Sequence, residues 1–156
     1  YPYAIYRWQK LGLKEDFTFQ PVCTDSALAD HLLTLLASAQ AGATDSPLTV
    51  DEEAALEQDH YRLWSDARAE HIEQVRQHAC TRQASLDTTH AARLAILEEQ
   101  RDANADSRIR RMRESQIEAA RRDYERRAEE LRMAPAQADV IAEAVAFGVL
   151  VLEEGS

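Results

Sequence analysis

Hydrophobic positions change period along the chain, and each change marks an element. Residues 1 to 11 carry apolar side chains on both faces, Tyr1, Tyr3 and Ile5 against Tyr6 and Trp8, which predicts a strand over about 2–11 covered on more than one side. Residues 16 to 22 alternate, with Phe17 and Phe19 expected inward and Thr18 and Gln20 outward. A hairpin turning near Gly12 to Glu15 joins the two, and Pro21 either ends the second strand or holds it at a sheet edge, because proline cannot donate to a ladder. Then the spacing lengthens. Leu28, Leu32, Leu35, Leu36 and Ala39 follow the capping residues Thr24, Asp25 and Ser26 at helical intervals, so residues 25–40 read as one amphipathic helix that needs a partner. At the far end Val145, Phe147, Val149 and Val151 share one face of a strand over about 144–152, with Gly148 and Leu150 opposite.

Between Pro47 and Pro135 stand 87 residues with neither glycine nor proline. Interior proline costs about 3 kcal/mol and glycine about 1 kcal/mol relative to alanine, so this segment is expected to be very long helix. Thr49-Val50-Asp51-Glu52 has the form of a capping box and marks its start. The apolar positions run Leu56, Trp64, Ile72, Val75, Ala79, Leu86, Leu94 and Leu97, then Ile109, Met112, Ile117, Ala120, Tyr124, Ala128 and Leu131. The second series is closer to an eleven-residue repeat than to heptads, which implies nearly straight packing. A reversal fits at residues 102–107, where Asn104 is expected in the left-handed conformation and Asp106 or Ser107 caps the next helix. The alternative is an unbroken rod of about 85 residues, spanning roughly 125 Å. The hairpin buries more apolar surface and returns the last strand to the first.

These elements together predict an α+β, predominantly α fold: a long, coiled-coil-like antiparallel helical hairpin on a small antiparallel β-sheet with one packed helix. The base comprises residues 1–47 and 136–156, and the helical arm residues 48–135.

The net charge of −10 makes the chain as a whole a poor partner for nucleic acid, since affinity for it comes largely from neutralised phosphates. The distribution is uneven, however. Of 18 basic residues only Lys10 and Lys14 are lysines, and ten arginines fall between Arg101 and Arg132. Cys23 and Cys80 form neither a metal-ligand spacing nor a disulfide framework, so the expected compartment is the reducing cytoplasm. No apolar run approaches the roughly 20 residues that span a bilayer, and no membrane partner is expected. Starting at Tyr1 without an initiator methionine, the sequence reads as a piece of a longer protein.

Candidate chemistry centres on Ser107-Arg108-Ile109-Arg110-Arg111-Met112-Arg113. With Ile109 and Met112 toward the partner helix, Arg108, Arg110, Arg111 and Arg113 are expected to present a basic face for DNA or an acidic protein surface. Their plainer use is a solvated face of i to i+4 pairs with Glu114, Glu118, Asp123 and their neighbours. Glu57-Gln58-Asp59-His60 and Asp87-Thr88-Thr89-His90 each set a carboxylate three residues before a histidine, as di-iron bundles do, but His71 and His78 belong to neither motif and converging glutamates are not evident. No metal is therefore expected. Cys80 and His78 lie on one helix without an orienting third group, and Gly12, Gly42, Gly148 and Gly155 fall in no phosphate-binding string, so neither catalysis nor a cofactor is expected in this fragment.

Leu94-Ala95-Ile96-Leu97-Glu98-Glu99-Gln100, the Arg108 to Ile117 string, Tyr124-Glu125-Arg126-Arg127 and Ala146-Phe147-Gly148-Val149-Leu150 resemble the C-terminal region of bacterial Swi/Snf-type, superfamily-two helicase-like proteins. The similarity covers residues 60–152. It implies a parent chain with DNA-dependent ATP hydrolysis, in which this region is an accessory, non-catalytic lever attached to the motor. The family's Walker A, DEAH-type and arginine-finger motifs have no counterpart here, so no catalytic residue carries over. The second expectation is a protein-interaction or oligomerisation coiled coil with no nucleic-acid role, in which an open rod pairs as a homodimer.

Overall fold

A computed structural model of the chain describes residues 1–153, and the last three residues of the expected base, 154–156, lie outside them. The fold is α+β and predominantly α. In order it runs β1 (Pro2–Leu11), β2 (Asp16–Cys23), α1 (Ser26–Ala29), α2 (Leu32–Ser38), α3 (Val50–Asp102), α4 (Ser107–Gln137) and β3 (Asp139–Val149). Two compact units divide it: one holds Tyr1–His71 and the chain from Asp139 onward, the other Ile72–Ala138. The boundary therefore falls inside α3, after His71, and not at residue 48, because the first turns of that helix pack on the sheet through Leu56, Trp64 and Ala67.

In the first unit the strands lie in the order β2-β1-β3, antiparallel throughout. Ala4, Tyr6 and Trp8 of β1, Val22 of β2 and Val140 of β3 bury one face against Leu56 of α3, with Trp64 and Ala67 packed at its margin. Leu56 is fully buried, a contribution of about 1.5–3 kcal/mol for a leucine side chain. Thr49 and Glu52 form the expected capping box: the Glu52 amide donates to Thr49 Oγ1 at 3.2 Å, and the Thr49 amide donates to Glu52 Oε2 at 2.9 Å. The Thr49 amide, and then the Thr49 hydroxyl, which also donates to Oε2 at 2.9 Å, hold the Glu52 carboxyl below its usual range.

Three expectations for this unit are corrected. Phe17 and Phe19 point outward, 53% and 56% exposed, because Thr18, Gln20 and Val22 pair with the buried Trp8, Tyr6 and Ala4. Strand β3 begins at Asp139 rather than 144, and its register shifts opposite Ile5 and Tyr6, so that Val145 is an extra, exposed residue. That bulge exchanges faces along the strand: Val140 and Ala142 point into the core before it and Phe147 after it. The helix expected over 25–40 is two short ones. Asp25 caps α1 by accepting from the Ala27 amide at 2.9 Å, the chain breaks at Asp30 and His31, and Leu32 alone of the apolar stripe becomes fully buried.

The second unit is a helical hairpin. From Val75, α3 turns positions 75, 79, 83, 86, 90, 94, 97 and 101 toward α4, and α4 answers with 109, 113, 117, 120, 124, 128, 131 and 135, all buried or half-buried. Both series repeat as 4-4-3, eleven residues in three turns, the spacing at which neighbouring helices run nearly straight. Helix α4 continues through Pro135 to Gln137, so the arm ends two residues later than expected. Pro135 lies in the last turn, where only one helical hydrogen bond is lost.

Candidate functional site

The reversal is built from hydrogen bonds alone. Ala103 donates its amide to the Glu99 carbonyl at 2.9 Å and Asn104 to Arg101 at 3.3 Å, which closes α3. Asp106 then opens α4, its carboxylate accepting from the Arg108 amide at 2.9 Å. Asn104 is not left-handed, for no described non-glycine residue has positive φ. Four residues with ordinary backbone angles suffice for the turn.

Arg108, Arg110 and Arg111 stand exposed in the first turn after it. At about 100° per residue they do not line a single face. Arg108 and Arg111, three residues apart, share the side turned away from α3, while Arg110 sits on the flank. Arg113 departs from the expected set. It occupies an inward position of the 4-4-3 series, half-buried, with one guanidinium nitrogen donating to Gln116 Oε1 at 2.9 Å and its Nε enclosed without a partner. Met112, expected inward, is 47% exposed instead. A strict apolar count favoured Met112, whereas the geometry selects position 113 and tolerates the arginine because its charged end reaches Gln116 and the helix margin.

Ion pairing separates these arginines from most of those farther along α4, Arg122 being the exception. Arg126 and Arg127 both pair with Asp123, at 2.8 and 3.3 Å, Arg126 also reaches Glu130 at 3.5 Å, and Arg132 pairs with Glu129. Asp123 is correspondingly held below the usual carboxylate range, chiefly by its hydrogen bond from Arg126. Among the described residues no ion pair involves Arg108, Arg110 or Arg111. Charge is also divided between the units: the first carries five basic and sixteen acidic residues, net −11, and the second thirteen and twelve, net +1. Within α4 the balance is nine basic to six acidic.

The histidine motifs are put to structural use. His60 is buried in the sheet's core, its Nε2 accepting from Trp8 Nε1 at 2.9 Å and its ring stacked on Tyr6 at 3.4 Å; burial lowers its pKa. His71 donates a ring N–H to the Leu11 carbonyl at 2.7 Å. Midway along the hairpin Asp87 accepts from the Tyr124 hydroxyl at 2.6 Å and from Gln83 at 2.7 Å, with His90 stacked on the Tyr124 ring. The Tyr124 bond is the main influence on both groups, pulling the Asp87 carboxyl down and pushing the Tyr124 hydroxyl up. Among the described residues no three His, Cys, Asp or Glu side chains group as metal ligands. Cys80 is exposed and Cys23 buried, both unpaired, and Cys80 borders a groove of about 600 Å³ on the hairpin with Ala79, Tyr124, Ala128 and Leu131. No described helix is long and apolar enough to cross a membrane. Sequence reasoning missed the Asp87–Tyr124 clasp and the core role of His60; the only signal for either was a polar residue recurring at an inward interval.

No family model, curated protein or solved structure matches this chain.

Proposed function

We propose that this chain is a non-catalytic accessory region of a cytoplasmic helicase-like, DNA-dependent ATPase, and that its helical hairpin contacts DNA through the start of α4. One observation carries the reading: Arg108, Arg110 and Arg111 are exposed beside the reversal and have no ion pair among the described residues, while four of the six arginines that follow on α4, Arg121, Arg126, Arg127 and Arg132, are paired with carboxylates. Unpaired guanidinium groups lose no internal partner on meeting phosphate, to which they bond bidentately. The acidic first unit repels the same ligand, which confines contact to the hairpin. The resemblance to Swi/Snf-type proteins supplies the motor: ATP hydrolysis belongs to the parent chain, and no ATPase motif lies in this one. Two unpaired cysteines accord with a reducing compartment.

An intermolecular coiled coil is the weaker reading, since the 4-4-3 stripe of α3 is already met by α4. Charge reversal tests the preferred one. Arg108, Arg110 and Arg111 together changed to Glu should weaken binding of a labelled DNA duplex roughly tenfold or more at low salt, measured by fluorescence anisotropy. The same change at Arg126, Arg127 and Arg132 should matter less. Equal losses, or none, would remove DNA from the account and leave an acidic protein surface as the ligand.

A further inference from the structure

We propose that the outer edge of β3 pairs with β3 of a second copy, producing a two-fold dimer with one continuous six-stranded antiparallel sheet. Strand β3 is the last in the order β2-β1-β3. Both backbone groups of Val140 face away from β1: its carbonyl accepts from Trp64 Nε1 at 2.7 Å, and its amide donates to Asp139 Oδ1 at 2.8 Å. Because the backbone repeats every two residues, Ala142 and Ala144 turn their N–H and C=O groups the same way, and no strand among the described residues meets them. Val140 is capped by side chains; Ala142 and Ala144 are a ready template.

Three features choose the occupant. First, the charges that ordinarily guard an edge are cancelled within the chain, since Glu143 pairs with Arg7 and Asp139 with Arg68, each at 2.6 Å. Second, Ile141 and Val145 are both about half exposed, at 49% and 53%. Antiparallel pairing about a two-fold axis at Glu143 sets Ala142 of each copy opposite Ala144 of the other, engaging the free groups, and brings Ile141 opposite Val145. A second β3 thus fits β3 itself. Third, the opposite edge is closed: Pro21 puts a residue without an N–H on β2, and α1 and α2 border Val22 and Cys23. With one open edge per copy the assembly ends at two and does not extend into a fibre. The net −11 of the first unit opposes the approach of a like copy, so the dimer strengthens as salt rises. It does not depend on what the arginines of α4 touch.

Sedimentation equilibrium of the intact chain, over a concentration series at low and moderate salt, should show a monomer–dimer equilibrium favoured by salt. Ala144→Pro removes an outward N–H that the fold itself does not use and should weaken the dimer roughly tenfold or more with an unchanged far-ultraviolet spectrum. Val145→Lys, at an exposed position, should do the same by placing a lysine on the edge and tests the idea independently should the proline disturb the strand. With Cys80 changed to Ser, Glu143→Cys should oxidise to a covalent dimer, because directly opposed residues that do not exchange hydrogen bonds lie within disulfide reach. Phe17→Cys on β2 should not. A monomer at all concentrations and salts would overturn the proposal, as would a dimer that survives both edge variants and leaves Glu143→Cys uncrosslinked.

Discussion

Lowering the pH from 7.5 to 5.0 should destabilise the sheet unit from within, through His60. This residue is 8% exposed, it accepts a hydrogen bond from the Trp8 indole, and its ring lies 3.4 Å from that of Tyr6. Protonation converts Nε2 from acceptor to donor, leaving two N–H groups face to face in an enclosed site. Burial lowers the His60 pKa from its ordinary value near 6.5. Between that value and the lower native one, the unfolded chain binds more protons than the native chain, so stability is complete above about pH 6.5 and declines as pH falls. One such group changes stability by at most about 1.4 kcal/mol per pH unit. Glu53 and Glu57, on the adjacent turns of α3, face Tyr6, whose hydroxyl is pushed up chiefly by burial and secondarily by their charge. The carboxyls of Glu52, Asp123 and Asp139 are all lowered and titrate below this window. His60→Phe keeps a ring on Tyr6 but removes the titrating group and the acceptor. It should lose about 1–3 kcal/mol at pH 7.5, the cost of the orphaned indole N–H, and should flatten the pH dependence between 6.5 and 5. Urea unfolding followed at 222 nm in half-unit pH steps measures both effects. An equal slope in the variant and the parent protein would refute the assignment, whatever the variant's absolute stability.

Leu56→Ala, at the fully buried contact between α3 and the sheet, should cost about 2–5 kcal/mol, read as a lower urea midpoint. Thr49→Ala breaks the capping box and should cost about 0.5–2 kcal/mol, with faster amide exchange confined to the first turn of α3. Tyr124→Phe removes the hydroxyl bonded to Asp87 and should speed exchange in the middle of both hairpin helices. The Asp87 carboxyl should then titrate nearer its ordinary value, a shift visible by carbon-detected NMR.

Local signals in the sequence marked most of the architecture. An apolar run on both faces located β1, alternation located β2, the Thr49–Glu52 spacing located the start of α3, and Asp106 capped α4 where expected. What sequence could not supply were facts about the far side of a contact. Alternation groups Phe17 with Phe19, but the side that α3 covers is set by Ala4, Tyr6 and Trp8 on the neighbouring strand. The bulge at Val145 exists only in the pairing with Ile5 and Tyr6. The enclosure of Arg113 and the core role of His60 are illegible for one reason: each is polar at an inward position, and its compensating partner, Gln116 or Trp8, is apparent only in three dimensions. The same limit applies to the candidate site, where the string of four arginines was plain but its division into three exposed and one enclosed was not.

The salt dependence of duplex binding tests the central claim most directly. Three phosphate contacts by Arg108, Arg110 and Arg111 contribute roughly 0.9 each to the slope of log affinity against log salt. The intact chain should therefore show a slope of about −2.7 or steeper. In the triple Glu variant that slope should fall toward zero. A slope unchanged by the substitution would contradict the account.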